Sequence, residues 1–187
     1  MSTTSHTEFE RLILPHLGAD YSLARWLLRH PQDAEDAVQE AVIKAYKGFH
    51  DFNGGNASAW LMAIVRNSCL TAIERRRAIA KVVVLADSVP GLERSREIVP
   101  DPTLPADAAI ITEEERRRVH AAMAALPLRF REVLVLREYH DLSYRDIADI
   151  VGAPVGTVMS RLARARERLM RELAETEQAK PVTGTKS

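Results

Sequence analysis

The stretch SYRDIADIVGAPVGTVMSRLARARERLMREL, Ser143–Leu173, decides the fold. Its apolar residues recur at spacings of three and four, which predicts helices, and Gly152-Ala153-Pro154 interrupts the pattern. Ser143 can cap a short helix before this break, and a longer helix is predicted from Val155 to about Ala174. The longer helix has an apolar stripe and a basic stripe: Val158, Leu162, Ala165, Leu169 and Leu173, and Arg161, Arg164, Arg168 and Arg171.

A short bracing helix, a tight turn and a helix with a face of hydrogen-bond donors are the parts of a helix-turn-helix that binds duplex DNA. Arg168 lies far along the longer helix and suits phosphates better than bases. A plain helical hairpin with a solvated arginine face would show the same stripe, but the short first helix and the glycine turn favour the helix-turn-helix. Four residues lie where base edges are reached: Thr157, Ser160, Arg161 and Arg164.

Helical periodicity dominates the rest of the chain, and Val82–Leu85, the only β-like run, is interpreted as the end of a helix or the start of a linker. The pattern predicts an all-α protein of two small helical domains joined by a flexible linker. Thr112 and Glu115 have the spacing of a capping box, and Pro127 begins a further helix. The predicted helices span residues 9–17, 20–30, 33–49, 58–80 and 112–126. The chain is predicted to divide into a domain at 1–86, a proline-containing linker at 87–107, a domain at 108–177 and a disordered tail at 178–187.

The formal net charge of the 187 residues is zero, which taken alone argues against nucleic-acid binding. The charge is unevenly distributed, however. Residues 1–86 hold 10 basic and 9 acidic side chains, residues 87–115 hold 2 and 8, and residues 116–187 hold 14 and 9, giving +1, −6 and +5. Because DNA responds to the local field, the basic second domain can bind it despite the neutral total.

Several classes of function lack their sequence signals. Cys69 is the only cysteine, so neither an internal disulfide nor a thiolate metal cluster is expected. The six histidines lack ligand spacing, and no phosphate-binding loop, metalloprotease or nucleophile motif is present. No signal pattern and no run of about 18 apolar residues occurs. We expect a soluble cytoplasmic protein without membrane insertion, cofactor or metal, which is not an enzyme.

Two helices of the first domain carry patterned polar residues. Trp60, Arg66 and Asn67 share a helix with the run Arg75-Arg76-Arg77, and interleaved aromatic, amide and basic groups favour a grip on single-stranded DNA. Trp60 could equally belong to the core, and the arginine run could be a solvated helix end. The preceding helix begins with acids that either follow the helix dipole or form a docking face for a basic protein: Asp33, Glu35, Asp36 and Glu40.

Three segments, in this order, resemble the extracytoplasmic-function group of sigma-70 factors. DAEDAVQEAVIKAYKGF, residues 33–49, is similar to their second conserved region. AWLMAIVRNSCLTAIERRR, residues 59–77, is similar to their promoter-melting segment. LPLRFREVLVLREYHDLSYRDIADIVGAPVGTVMSRLARARERL, residues 126–169, is similar to their fourth region. Three ordered motifs across a linker are far more specific than any one helix-turn-helix.

The resemblance implies a role for each segment. The loop Asn53–Asn56 would capture a flipped base of the −10 promoter element, and the linker would thread toward the active cleft of RNA polymerase. The second domain would meet the flap of the second-largest polymerase subunit, and an anti-sigma factor is an expected partner. Residue roles are carried over as follows: Asp33, Asp36, Gln39 and Glu40 dock on the clamp of the largest subunit of core polymerase; Asn53, Asn56, Trp60, Arg66, Asn67, Arg75 and Arg76 bind −10 DNA; Thr157, Ser160, Arg161, Arg164 and Arg168 bind the −35 element.

The implied function is a sigma factor that binds core RNA polymerase and directs promoter recognition, DNA melting and initiation for a stress-response regulon. The alternative is a stand-alone helix-turn-helix regulator of duplex DNA, which would need neither Trp60 beside Arg66 and Asn67 nor the acidic helix. Met159 stands where the family usually has lysine, and Cys69–Ala72 replaces a segment that often carries aspartate. Both departures bear on promoter sequence, not on class.

Overall fold

The computed structural model describes residues 3–85 and 112–178, and within these ranges every regular element is a helix. This confirms the predicted all-α fold of two small helical domains. Most of the predicted linker and tail lies outside the described residues. The helices are α1 (Thr3–Ile13), α2 (Leu17–Leu28), α3 (Pro31–Gly48), α4 (Ala57–Leu85), α5 (Glu113–Ala125), α6 (Leu128–Glu138), α7 (Tyr144–Val151) and α8 (Val155–Gln178), with 3-10 turns at Leu14–His16 and Phe49–Asp51.

Prolines and a residue in the left-handed backbone conformation set the helix boundaries of the first domain. Pro15 lies in the 3-10 turn after α1, where its missing N–H suits a helix start, so α1 ends at Ile13. The predicted first helix, 9–17, is therefore wrong at its C-terminal end, because Leu17 already begins α2. Arg29 closes α2 in the left-handed region with φ 65°, and Pro31 begins α3. Val82–Leu85 forms the end of α4.

Alanines bring α3 close to its neighbours. Four alanines of α3 face α2 and α4 and are almost fully buried: Ala34, Ala37, Ala41 and Ala45. Short side chains in the contact permit a short distance between helix axes. Leu23 and Leu27 from α2 and Leu61 and Val65 from α4 complete the packing. Because this side of α3 is buried, the opposite side with its polar residues faces solvent.

The second domain is built around its capped helices. Thr112 and Glu115 form both hydrogen bonds of the predicted capping box of α5. The Ser143 hydroxyl accepts the Asp146 N–H at the start of α7, and Gly152 ends that helix with φ 63°. This positive φ is why glycine suits the turn between α7 and α8. The helix-turn-helix geometry predicted from the sequence is thus present.

The two domains also pack against each other. Trp26 of α2 stacks on His120 of α5, with ring centroids 4.7 Å apart and planes 9° apart, and lies 5.1 Å from the Tyr139 ring. The Arg131 guanidinium of α6 donates to the Leu27 carbonyl at 3.4 Å and to the Ala124 carbonyl at 2.9 Å. Burial, together with the charge of Arg29, lowers the pKa of Arg131 to about 10. One continuous core therefore spans both domains.

Asp20, in the first turn of α2, predicts a pH-dependent stability. Its side chain is fully buried, and neither carboxylate oxygen has a hydrogen-bond partner among the described residues. Burial raises the pKa of Asp20 from 3.8 to about 7. The folded state thus holds this proton more tightly than the unfolded state, so the destabilisation is fully present above pH 7 and disappears as the pH falls toward 4.

We expect Asp20→Asn to raise the free energy of unfolding at pH 8 by up to about 4 kcal/mol, the free-energy equivalent of the shift in pKa. The gain should shrink as the pH is lowered to 5. Urea unfolding of both proteins at the two pH values measures it, and Asp36→Asn, at an exposed position, is the control. Equal gains at pH 8 and pH 5 would show that the Asp20 carboxyl is not the cause.

Candidate nucleic-acid interface

The first half of α8 presents an exposed polar surface opposite its buried stripe. Val158, Leu162 and Ala165 are at most 1% exposed and fix the orientation of the helix. Ser160 and Arg164 consequently face solvent, with Thr157 partly exposed beside them. The Ser160 hydroxyl donates to the Thr157 carbonyl at 2.9 Å, which leaves its oxygen able to accept. Hydroxyl and guanidinium groups of this kind are suited to hydrogen bonding with base edges in the major groove.

Arg161 and Arg168 lie on the flank of α8 that faces α6. The Arg161 side chain is 28% exposed, and its guanidinium is 3.7 Å from the Glu132 carboxylate. The Arg168 guanidinium lies over the Phe130 ring, 5.1 Å from the centroid. Of the predicted −35 residues, Arg164 is therefore the arginine that the structure leaves on the outer face of the first half of the helix.

A second polar line runs along α4. Trp60 and Asn67 are seven residues apart and share one side of the helix, with Asn56 one turn before Trp60. Asn67 is exposed. The Asn56 carbonyl oxygen accepts the Ala59 N–H at 3.1 Å, so this residue also caps α4. In the loop before it Asn53 is exposed, and Gly54 and Gly55 have φ values of 84° and 101°.

Trp60 is half-buried, so it is neither a fully buried core residue nor a free surface ring. Its ring centroid lies 5.0 Å from that of Phe52 and 6.4 Å from that of Phe49. These contacts hold the indole in one place beside the loop. A ring fixed by aromatic neighbours and still partly exposed can stack on a base at a small cost in conformational entropy.

The Arg66 side chain connects Asn67 with the second domain. Its Nε donates to the Glu132 carboxylate at 2.8 Å, and the two side chains are 14% and 4% exposed. A terminal nitrogen of the same guanidinium donates to the Asn67 side chain at 3.3 Å. Glu132 therefore contacts a predicted −10 residue, Arg66, and a predicted −35 residue, Arg161, at once.

The acidic face of α3 and the arginine run of α4 partly neutralise each other. Asp33 forms an ion pair with Arg76. Glu40 lies 2.8 Å from Lys44 and 3.9 Å from Arg75, and the hydrogen bond from Lys44 lowers the pKa of Glu40. Asp36 and Gln39 are exposed between them. The structure thus joins two residue groups that the sequence predicted to bind different partners.

Residues at the contact between the domains were not singled out by sequence reasoning. Trp26, Arg131 and Glu132 are all less than 10% exposed. A signal for the last two was present: they interrupt the otherwise apolar run Phe130–Leu136, all of which is buried. Two adjacent charges inside a buried run require partners, but the run itself does not say which helix supplies them.

Among the described residues, no group of His, Cys, Asp and Glu side chains is arranged to hold a metal ion. Within the same part of the chain, no helix is both long and apolar enough to cross a membrane. Cys69 is buried, and burial raises the pKa of its thiol to about 12, which makes it a poor nucleophile at neutral pH.

Comparison with known proteins gives matches in both domains. The family model for Sigma-70 region 2 matches residues 12–79, and that for Sigma-70 region 4 matches residues 116–169. The chain is 32% identical to the ECF RNA polymerase sigma factor SigW of Bacillus subtilis, over 83% of each protein. It is 34% identical to the RNA polymerase sigma-H factor of Pseudomonas aeruginosa, over 88% of this chain and 86% of the relative.

A solved structure resembles the arrangement of both domains. It is the sigma factor RpoE in complex with the anti-sigma factor NepR from Bartonella quintana. The TM-score is 0.72 at 28% sequence identity, and the alignment covers 89% of this chain and 97% of that one.

Proposed function

The chain belongs to the extracytoplasmic-function group of sigma-70 factors, and on this basis we propose how its two domains share promoter recognition and opening. A sigma factor brings core RNA polymerase to a promoter and directs initiation, and the alternative of a stand-alone regulator does not fit this family. The bond-forming chemistry belongs to the polymerase, so this chain is proposed to act by binding alone, in the cytoplasm where the polymerase works. The domains are proposed at 1–86 and 108–177, joined by a linker at 87–107.

The polar side of α3 is proposed to dock on the clamp of the largest polymerase subunit. Its buried alanines hold that side outward, and Asp36 and Gln39 are exposed there. Asp33 and Glu40 flank them and already form ion pairs with Arg76 and Lys44. On docking, the two carboxylates would leave these partners for basic groups of the polymerase. The flap of the second-largest subunit is proposed to hold the second domain.

The line along α4 is proposed to hold the non-template strand of the opened −10 element. Asn53 and Asn56 lie in or beside the loop that would receive a flipped base, and Trp60 offers a fixed, partly exposed ring for stacking. Asn67 offers an amide farther along the same side. Arg66, Arg75 and Arg76 would bind the phosphate backbone after leaving their present carboxylate partners.

The first half of α8 is proposed to read the −35 element in the major groove. Arg164 and Ser160 face outward for base edges, with Thr157 beside them. Arg161 would turn from Glu132 toward the groove, and Arg168, held over Phe130, would contact phosphate. The observation that carries the whole proposal is one chain with two distinct polar helix faces, one suited to single-stranded and one to duplex DNA.

Run-off transcription tests this proposal. Core polymerase with the chain should produce promoter-specific transcripts, and core alone should not. The isolated chain should bind promoter duplex only weakly in gel shift, because its net charge is zero and each basic surface is small. Tight sequence-specific binding by the isolated chain, with no effect on transcription, would favour a stand-alone regulator.

A stress-response regulon and an anti-sigma partner are further parts of the proposal. The anti-sigma partner is supported by the structural relative, which is bound to an anti-sigma factor in its solved complex. Purification of the chain from its host with its bound proteins would identify such a partner.

A further inference from the structure

The exposed surface of α8 also contains an apolar line. Val155 and Met159 are 41% and 53% exposed, and Ala163 is exposed one turn farther along. At spacings of four, these residues lie on one side of the helix, next to Ser160 and Arg164. A half-exposed methionine in the DNA-reading half of the helix has a chemical match in the major groove, where thymine presents its C5-methyl group.

We infer that Met159, with Ala163 beside it, contacts thymine methyl groups of the −35 element and so determines part of promoter preference. This inference rests on the proposed function, because it requires α8 to lie in the major groove. An unbranched, flexible thioether side chain can follow a methyl group without a fixed rotamer. The lysine usual at this position would instead donate to the O6 and N7 acceptors of guanine.

The experiment uses holoenzyme, assembled from core polymerase and the full chain. A −35 sequence is first selected from a randomised promoter library, and each thymine in it is then replaced by deoxyuridine, which removes only the methyl group. When the contacted thymine is replaced by deoxyuridine, wild-type holoenzyme should bind the promoter about fourfold more weakly, as expected for losing one buried methyl group. Met159→Ala should show that weaker binding on the thymine promoter and no further loss with deoxyuridine.

Met170 provides a matched control, since it is 67% exposed on the same helix but lies three turns beyond Met159. Met170→Ala should keep the full sensitivity to deoxyuridine. A library selection with Met159→Lys should replace the thymine by guanine. The inference is wrong if wild-type binding ignores the methyl group, or if Met159→Ala retains the deoxyuridine penalty.

Arg164→Ala distinguishes an error in the Met159 inference from an error in the proposed function. That variant should lose −35-dependent binding whether or not Met159 contacts thymine. If Arg164→Ala and Met159→Ala both bind the selected promoter like wild type, α8 does not read the −35 element, and both the proposed role of the helix and the inference are wrong.

Discussion

Replacing Asp36 and Glu40 together by arginine is expected to abolish association with core RNA polymerase and leave the fold intact. Asp36 is exposed on the outer side of α3, and Glu40 is half-exposed one turn away. Reversing both charges should remove attraction and add repulsion at the proposed docking face. Where charge pairs are close, this costs about 3 kcal/mol or more, equivalent to at least about a 100-fold loss of affinity.

The fold should tolerate the double change because the buried side of α3 is untouched. Glu40 would lose its contacts with Lys44 and Arg75, but the three side chains are 40% exposed or more. Exposed ion pairs contribute little to stability, typically about 0–1 kcal/mol. Asp33 also keeps its ion pair with Arg76 of α4.

Co-purification with core polymerase measures the effect, and thermal unfolding checks the fold. Glu8→Arg with Glu10→Arg is the matched control, since it makes the same change in net charge at exposed positions of α1. The control should co-purify like wild type. If the Asp36 and Glu40 variant does so as well, the polymerase does not dock on this face of α3.

Helix-turn-helix geometry was predictable because its determinants are local. Ser143 as cap, Gly152 in the left-handed region and the stripe of Val158, Leu162 and Ala165 each act within a few residues of the chain. The alanine stripe of α3 was equally predictable, since it depends only on helical periodicity. Such features are fixed by backbone conformation and short-range packing, which a sequence displays directly.

The contacts of the candidate site could not be read in the same way, because they join distant segments. Arg66 was correctly placed on α4, but its partner Glu132 comes from α6 of the other domain. The pairing of Arg76 with Asp33 likewise depends on how α3 and α4 cross. Pro15, by contrast, is a local signal for the end of α1, and the predicted helix 9–17 runs past it.

Variants of the two proposed DNA-binding surfaces should be defective at different steps of initiation. Arg164→Ala would remove the contact that we propose in the major groove, worth about 1–3 kcal/mol for a good bidentate pair. Its defect should appear in the closed complex and depend on the −35 sequence. Arg164 is the cleaner choice over Arg161, whose side chain is held by buried Glu132.

Asn67→Ala and Trp60→Ala should act later, when the strands separate. Stacking on an aromatic ring is worth roughly 1–3 kcal/mol per base, and unstacking a flipped base costs a few kcal/mol more. A template with a pre-melted bubble should therefore restore much of the activity of these variants. Because Trp60 also packs on Phe52, Trp60→Ala should lower thermal stability as well, whereas Trp60→Phe should retain most of both functions.

Permanganate footprinting of opened thymines, together with binding to intact and bubble templates, distinguishes the two steps. Asn67→Ala should reduce footprinting on the intact duplex at an unchanged level of closed complex, and it should bind the bubble nearly like wild type. Arg164→Ala should be weak on both templates wherever the −35 element is required. If the bubble rescues Arg164→Ala but not Asn67→Ala, the two domains have the opposite roles. If Trp60→Ala and Trp60→Phe lose stability equally and neither is rescued, Trp60 supports the core and does not stack on DNA.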